Sequence, residues 1–253
     1  MTVCYFTATG NSLYVAKRIG GKLLSIPKLY KQNEIKIEDD AVGIIAPVYG
    51  GNMPRMVSAF LKKATIKAGY LFFISTYGMS YSAVKTNAVE TMQNNGLKLD
   101  YVNAIKMIDN YLPGFEMQNQ KDSAVKKDIE GQIDAICKDL ENKKRNVSKI
   151  GLFENFIKQL VNGTMGKVIF NRNAAKKYIV NDSCIRCGIC AKVCPADNII
   201  VGDKVAFLDK CEVCYACIHN CPKNAIHLKN EKSSVRFRNE HVNLNEIIEA
   251  NTL

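Results

Sequence analysis

Cys184-Ile185-Arg186-Cys187-Gly188-Ile189-Cys190-Ala191-Lys192-Val193-Cys194-Pro195 returns 27 residues later as Cys211-Glu212-Val213-Cys214-Tyr215-Ala216-Cys217-Ile218-His219-Asn220-Cys221-Pro222. The match runs on to Ile199 and Ile226, so the segment is an internal repeat of two related halves. Each half reads C-x2-C-x2-C-x3-C-P. Three thiolates at this spacing on a tight loop can wrap three irons of a cubane. The fourth cysteine of the same run cannot close that cube and crosses to the other one. This puts Cys184, Cys187, Cys190 and Cys221 on one [4Fe–4S] cluster, and Cys211, Cys214, Cys217 and Cys194 on a second. Pro195 and Pro222 turn the chain away after each crossing ligand without offering an N–H. Gly188 lets backbone approach the sulfurs. Structural zinc usually takes two C-x2-4-C pairs and fits two four-cysteine runs poorly.

Around this repeat the 253-residue chain has the composition of an ordinary globular protein, 47% hydrophobic and 23% charged. Eight of its ten cysteines lie within the two runs, and the start Val3-Cys4-Tyr5-Phe6 carries no signal-peptide pattern. Metal binding in a reducing cytoplasm is therefore expected rather than a disulfide scaffold. No apolar run reaches membrane-spanning length. Cys4 in the first strand and Cys137 beside a helix face read as inert core residues, and His219 as a surface or packing residue. The net charge of +11 raises nucleic-acid binding as a class. However, no element carries a dense basic cluster with interleaved aromatics, so no nucleic-acid partner is expected.

Residues 1 to about 110 alternate unbroken apolar runs with helical patterns. Strands are expected over Thr2–Thr7, Leu23–Leu29, Ala41–Val48, Tyr70–Thr76 and Leu99–Met107. Helices are expected over Ser12–Gly20, Pro54–Ala64 and Ser80–Asn95, and Tyr30–Asp40 looks too short and polar for a full helix. Unbroken rather than alternating strands imply burial on both faces, hence an α/β fold with a doubly wound five-stranded parallel sheet. Val125, Ile129, Ile133, Ile136 and Leu140 recur at helical spacing between Asp122 and Lys144 and suit a last helix over the sheet. Phe153–Val168 reads as a connector helix interrupted near Asn162-Gly163. The resulting organisation is a first domain over 1–145, a helical connector over 146–175, the cysteine domain over 176–235 and a polar tail over 236–253. That tail leaves room for a short helix at Leu244–Ala250.

The first strand ends in Thr7-Ala8-Thr9-Gly10-Asn11-Ser12 and a helix follows at once. Short hydroxyl side chains and a glycine let such a loop fold round an anion at a helix N-terminus. A plain N-cap is the bland reading. Neither G-x-x-x-x-G-K-[ST] nor G-x-G-x-x-G is present, so neither ATP nor a nicotinamide dinucleotide is favoured.

Thr-x-Thr-Gly-Asn-Ser after a first strand resembles the FMN phosphate loop of flavodoxins, and the resemblance covers about residues 1–145. It implies a flavodoxin-like fold, with Thr7, Thr9, Gly10, Asn11 and Ser12 on the phosphate. It also implies two ring-binding loops. One contains Pro47, Val48, Tyr49, Gly50, Gly51 and Asn52; the other contains Ser75, Tyr77, Gly78 and Tyr81. Tyr49 is the first choice for stacking, followed by Tyr77 and Tyr81. The chain departs from long-chain flavodoxins in its reduced second helix and in lacking their acidic fourth-strand loop. The cysteine segment resembles bacterial two-cluster ferredoxins, which implies a small α+β domain of two short helices under two β-hairpins. Across nearly its whole length the chain resembles the flavodoxin–ferredoxin fusion proteins of anaerobic bacteria and archaea.

This combination implies a soluble electron-transfer iron–sulfur flavoprotein, coupling one-electron [4Fe–4S] clusters to FMN. The alternative is an FMN reductase acting on a quinone, a nitro compound or free flavin, with Tyr49, Asn52 and Tyr111 at its site. No catalytic acid or base is legible. Charge divides as +6 over residues 1–113, +3 over 114–175 and +2 over 176–253. Two oxidised clusters subtract about 4 and an FMN phosphate about 2. The ferredoxin part becomes slightly negative and the rest stays positive. That asymmetry suits an acidic redox-protein partner, either a ferredoxin-like carrier or an oxidoreductase, and no membrane is called for.

Overall fold

The computed structural model describes residues 1–79, 82–147 and 172–252. The connector helix expected over Phe153–Val168, and Tyr81, lie outside the described residues.

Strands β1 (Thr2–Tyr5), β2 (Lys22–Ser25), β3 (Lys36–Pro47), β4 (Thr65–Tyr77) and β5 (Tyr101–Lys106) form one sheet in the order β2-β1-β3-β4-β5, with every neighbour parallel. This is the flavodoxin-like doubly wound order. Alternation along the strands sends successive side chains to opposite faces. Cys4, Phe6, Ile44 and Ala46 pack with Val57, Phe60 and Leu61 of helix α3 (Arg55–Lys63) and with Val84, Ala88 and Met92 of α4 (Ser82–Asn94). Val3, Tyr5, Ile45, Phe72 and Ile74 pack the other way, against Leu13, Tyr14, Val15 and Ala16 of α1 (Asn11–Ile19) and residues 133 and 136 further on.

Three expectations need correction. The apolar run Leu23–Leu29 is not one strand: Ser25 caps a short helix α2 (Ile26–Tyr30) by accepting from the Lys28 N–H, and Pro27 sits in its first turn. Apolar residues at 26 and 29 therefore follow a helical turn rather than a buried strand. β3 begins at Lys36 rather than at Ala41, because its outer half pairs with the similarly long β4. The helix expected over 122–144 is broken into α5 (Met117–Asp122), a 3-10 turn over Ser123–Lys127 and α6 (Ile129–Glu141). Asp128 sits at φ 45°, and Val125 is 91% exposed and belongs to no buried stripe.

The cysteine domain holds α7 (Ile189–Lys192) and α8 (Ala216–His219), again 27 residues apart. β7 (Ile199–Val201) and β8 (Val205–Phe207) form a hairpin, whereas β6 (Tyr178–Val180) pairs antiparallel with β9 (Ile226–Leu228) from the other end of the unit. Only one of the two expected hairpins is therefore a hairpin. The last segment carries the short helix for which its sequence left room. Helix α9 (Leu244–Asn251) starts with a capping box between Asn243 and Glu246, and buries Ile247 and Ala250 in the same core as β1 and α1. No helix among the described residues is long and apolar enough to cross a membrane.

Candidate cofactor sites

At the carboxyl end of the sheet a cleft is lined by Thr7, Ala8, Thr9, Asn11, Ser12, Pro47, Val48, Tyr49, Thr76, Tyr77, Gly78, Ile108, Asp109 and Asn110. One end, the one expected to take a phosphate, is the turn from β1 into α1. Gly10 takes the N-cap position at φ 100° and gives the helix no side-chain cap, so the first-turn N–H groups are left to a ligand. The loop's carbonyls point elsewhere: Ala8 O accepts from Asn220 Nδ2 at 3.3 Å, and Thr9 O accepts from the Asn239 N–H at 2.8 Å. Thr7 Oγ1 accepts from the Gly10 N–H, and Thr9 Oγ1 from Asn110 Nδ2. Both hydroxyls accept and so keep their O–H to donate. A loop with acceptors tied off and donors free fits an anionic phosphate.

Gly10 itself faces away from the cleft. A Cβ there would meet Asn239 Cβ at 2.9 Å and Val242 Cβ at 3.0 Å, so the glycine permits the C-terminal segment to lie on the loop. Asn239 Nδ2 also donates to Asn11 Oδ1 at 3.1 Å, and His241 stacks on Tyr14 with centroids 4.4 Å apart.

At the ring end, Pro47, Val48, Tyr49, Tyr77 and Gly78 line the cleft; Gly50, Gly51, Asn52 and Ser75 do not. Gly50 and Gly51, both at positive φ, form the two-residue turn of a bridge between Tyr49 and Asn52, and so position Tyr49 rather than touch a ligand. Ser75 is fully buried within the sheet. Its neighbour Thr76 points the opposite way and bonds Ser12 Oγ at 2.9 Å.

Of the loop after β5 the sequence reading named only Tyr111, which does not line the cleft; Ile108, Asp109 and Asn110 do, and they escaped it. Ile108 O accepts from Asn11 Nδ2, while Asp109 packs so closely on Gly78 that a Cβ there would lie 2.1 Å from its carboxylate. Burial pushes the Asp109 carboxyl up, against the lowering influence of the Tyr111 N–H and Lys127. Position at the carboxyl edge of a fifth strand was the one signal available for this loop.

In the cysteine domain, Cys184, Cys187, Cys190 and Cys221 line one cavity. Cys194, Cys211, Cys214 and Cys217 line another. Each void is thus ringed by three cysteines of one run and the fourth of the other. Positive φ recurs at repeat positions: Arg186 and Val213 at 54°, Gly188 at 78° and Tyr215 at 58°, Asp197 at 48° and Asn224 at 49°. These kinks curl each loop so that backbone N–H groups reach sulfur: Asn198 to Cys194 at 3.4 Å, its repeat mate Ala225 to Cys221 at 3.3 Å, and Val213 to Cys211 at 3.3 Å. Burial holds the Cys214 and Cys217 thiols well above the ordinary range, and raises Cys190 to about 11. Bare thiolates are disfavoured there, and bound iron would reverse that preference. The donor sets and spacing fit [4Fe–4S] clusters. Cys4, by contrast, is pushed up to about 12 by burial in β1 and lines neither void.

The two sites are joined by direct contacts. Arg55 of α3 donates to Cys211 O, and the Met56 N–H donates to Glu212 Oε2 at 3.3 Å. Of the two readings of His219, surface or packing, the structure shows the second. It is buried, accepts from the Phe237 N–H at Nδ1 and donates from Nε2 to Asn110 O at 2.9 Å. Burial lowers it to about 4 and keeps it neutral. Through Asn110 it links a cluster loop to Thr9 of the phosphate turn.

The fold and the two cysteine-ringed voids define the chain as a flavodoxin-like domain followed by a ferredoxin-like iron–sulfur domain. Residues 2–108 match the flavodoxin domain family, and residues 177–200 the 4Fe-4S binding domain family. A curated relative, one of the subunits of the ion-translocating oxidoreductase complex of Methanosarcina acetivorans, is 42% identical over 55 residues. That stretch is 21% of each protein, so the chain spans about a fifth of that relative's length. Among solved structures, a protein of Bacteroides uniformis assigned as a flavoprotein is 16% identical with a TM-score of 0.35, covering 48% of this chain and 95% of its own. The rubredoxin oxygen:oxidoreductase of Desulfovibrio gigas is 11% identical with a TM-score of 0.35, covering 56% and 36%. At such scores the fold rests on the strand order alone. The domain pair is that of an iron–sulfur flavoprotein of electron transfer, with FMN and 4Fe–4S chemistry as its cofactors.

Proposed function

We propose that the chain holds one FMN and two [4Fe–4S] clusters, and that it couples one-electron carriers to a two-electron flavin. When bound, clusters pass single electrons and flavin takes one or two. The protein's own residues supply the rest. Thr7, Thr9 and the N-terminus of α1 hold the phosphate, while Tyr49, Tyr77, Val48 and Asn110 wall the ring. The eight run cysteines hold the irons, and the buried domain contacts keep the sites at a fixed separation. The observation that carries this reading is the direct docking of the ring-loop side of the sheet, through Arg55 and Met56, on the Cys211-Glu212 turn. Anaerobic purification with iron, sulfide and flavin quantification tests it: about eight irons and one FMN per chain are expected. Zinc in the cysteine domain, or no flavin after reconstitution, would overturn it.

Asp109 lends weight to a second reading, FMN-dependent reduction of a small acceptor such as a quinone, nitro compound or free flavin. It is a half-buried carboxyl at the cleft, of the kind that can hold a proton for a reacting group. Turnover with one of these acceptors, lost in Asp109→Asn with FMN retained, separates this reading from a pure carrier. The expected protein partner is acidic and docks on the positive flavodoxin portion. Its reduction kinetics should slow with added salt.

A further inference from the structure

We propose that Glu212 holds a negative charge against the second-run cysteine cavity and makes the cluster bound there the lower-potential one of the pair. A single electron shared by the pair then rests on the first-run cluster, at Cys187. This inference rests on the cofactor content proposed above and adds an order to the two clusters.

The repeat supplies the contrast. Glu212 follows the first cysteine of its run, and its mate 27 residues earlier is Ile185. Ile185 is 58% exposed, whereas Glu212 is 8% exposed and lines the second-run cavity. A glutamate seldom goes so deep without partners. Here its Oε2 accepts from the Met56 N–H at 3.3 Å, in the first turn of α3. That helix starts after Pro54 with no side-chain cap of its own, so Glu212 supplies the acceptor from the other domain. It does so at the helix end where a negative charge is stabilised.

The charges lining the two cavities have opposite sign. Among the described residues, and apart from the cysteines, Glu212 is the one charged residue lining the second-run cavity. The first-run cavity is lined by Arg186 and Lys223 and by no acid. Reduction makes a cluster one charge more negative. Glu212 therefore opposes reduction beside it, while Arg186 and Lys223 favour reduction at theirs. Burial acts in the same direction. Cys187 is exposed while Cys211, Cys214 and Cys217 are buried, and a buried charge is screened less. Two features of the second run work against this order: Arg55 donates to Cys211 O, and the Val213 N–H donates to Cys211 Sγ at 3.3 Å. The second is a neutral dipole. The first is a cation, and its removal should act with the opposite sign to removal of Glu212.

The test is an anaerobic redox titration, followed by electron paramagnetic resonance, in a Cys187→Ala background where the second-run cluster stands alone. Iron and FMN are measured on each sample. Glu212→Gln keeps a side-chain oxygen to accept from the Met56 N–H, so cofactor content should match the background. At a fixed potential the ratio of reduced to oxidised cluster should rise about tenfold, which is about 59 mV for one electron. Arg55→Gln should lower the same ratio. A loosened domain contact would move both variants the same way, so opposite shifts identify charge as the cause. In the native chain, the higher-potential cluster step should be the one that Cys187→Ala removes. That order needs no change at residue 212 and decides the case in which Glu212→Gln loses its cluster. An unshifted ratio with full cofactor content, shifts of the same sign, or a native order with the second-run cluster reduced first would overturn the inference alone. A native protein lacking clusters or flavin would instead overturn the reading beneath it.

Discussion

The two cysteine runs share a backbone and differ in their surroundings. Arg186 and Val213 have the same φ, the helices α7 and α8 begin at equivalent residues, and the Asn198 and Ala225 N–H groups reach equivalent sulfurs. Yet Cys187 is exposed while its repeat mate Cys214 is buried, and a glycine at 188 faces a tyrosine at 215. Ligand geometry is thus a local property of the repeat, and solvent access a property of domain docking. Two sites built by the same loop acquire different environments because the second run buries three of its cysteines and the first run one, although both runs touch the flavodoxin-like cores.

The largest effect that could break this comparison is loss of a ligand. Cys187→Ala should halve the iron, from about eight to about four per chain, and leave FMN bound. Cys214→Ala should lose a similar amount of iron and also weaken flavin retention, because its loop carries the contacts to Arg55 and Met56. Equal flavin content in the two variants would show that docking does not distinguish the runs.

Next come the paired positions at the head of each short helix. Tyr215 holds φ 58° with a buried ring that lies 6.0 Å from Tyr111 and 6.3 Å from Tyr178, centroid to centroid. Tyr215→Gly relieves roughly 1–2 kcal/mol of left-handed strain but forfeits about 3–5 kcal/mol of aromatic burial. Net destabilisation of a few kcal/mol should appear as a lower denaturation midpoint. Gly188→Ala meets nothing within 4 Å and should cost only the backbone term. The reverse ranking would mean that the runs do not differ in packing.

A smaller effect is expected at the C-terminal segment. Asn239→Ala removes the bond to Asn11 and the one its Oδ1 accepts from the His241 N–H, while the backbone bond to Thr9 stays. At about 0.5–1.5 kcal/mol per bond, FMN affinity should drop roughly tenfold with iron unchanged. Flavin titration of the apo-flavin protein checks this. Co-loss of iron would show that the segment supports both sites equally.

The smallest effect is on stability, in Asp109→Asn, at a residue that lines the flavin cleft and neither cysteine cavity. Burial raises the Asp109 carboxyl above its ordinary 3.8, so the folded chain holds that proton more tightly than the unfolded one. Its contribution is full at low pH and is lost as pH rises through the raised value. Across that window the native protein should lose stability relative to Asp109→Asn, as followed by unfolding at a series of pH values. A flat difference would place the carboxyl in solvent.

Much of the site was legible because its chemistry is written in contiguous residues. The run spacing sets which sulfurs face which void, and Thr7 to Ser12 form one turn between a strand and its helix. Other parts were hidden for identifiable reasons. Asp109 and Asn110 follow a strand with no motif of their own. Ser75 and Thr76 differ only in which face of the sheet they point to, which register decides. The strand expected through Leu29 became a helix because Ser25 and Pro27 form a cap that the apolar pattern alone conceals.

From the sequence by itself came the doubly wound sheet, the phosphate turn and the two cysteine quartets, since hydrophobic period, loop chemistry and ligand spacing are local. Only the tertiary structure decided that the second run buries three of its cysteines and the first run one. It also decided that His219 ties the cluster domain, and Asn239 the C-terminal segment, to the phosphate turn. Those relations join residues far apart in the chain, and they depend on how one domain's face packs on the other, which no stretch of either run encodes.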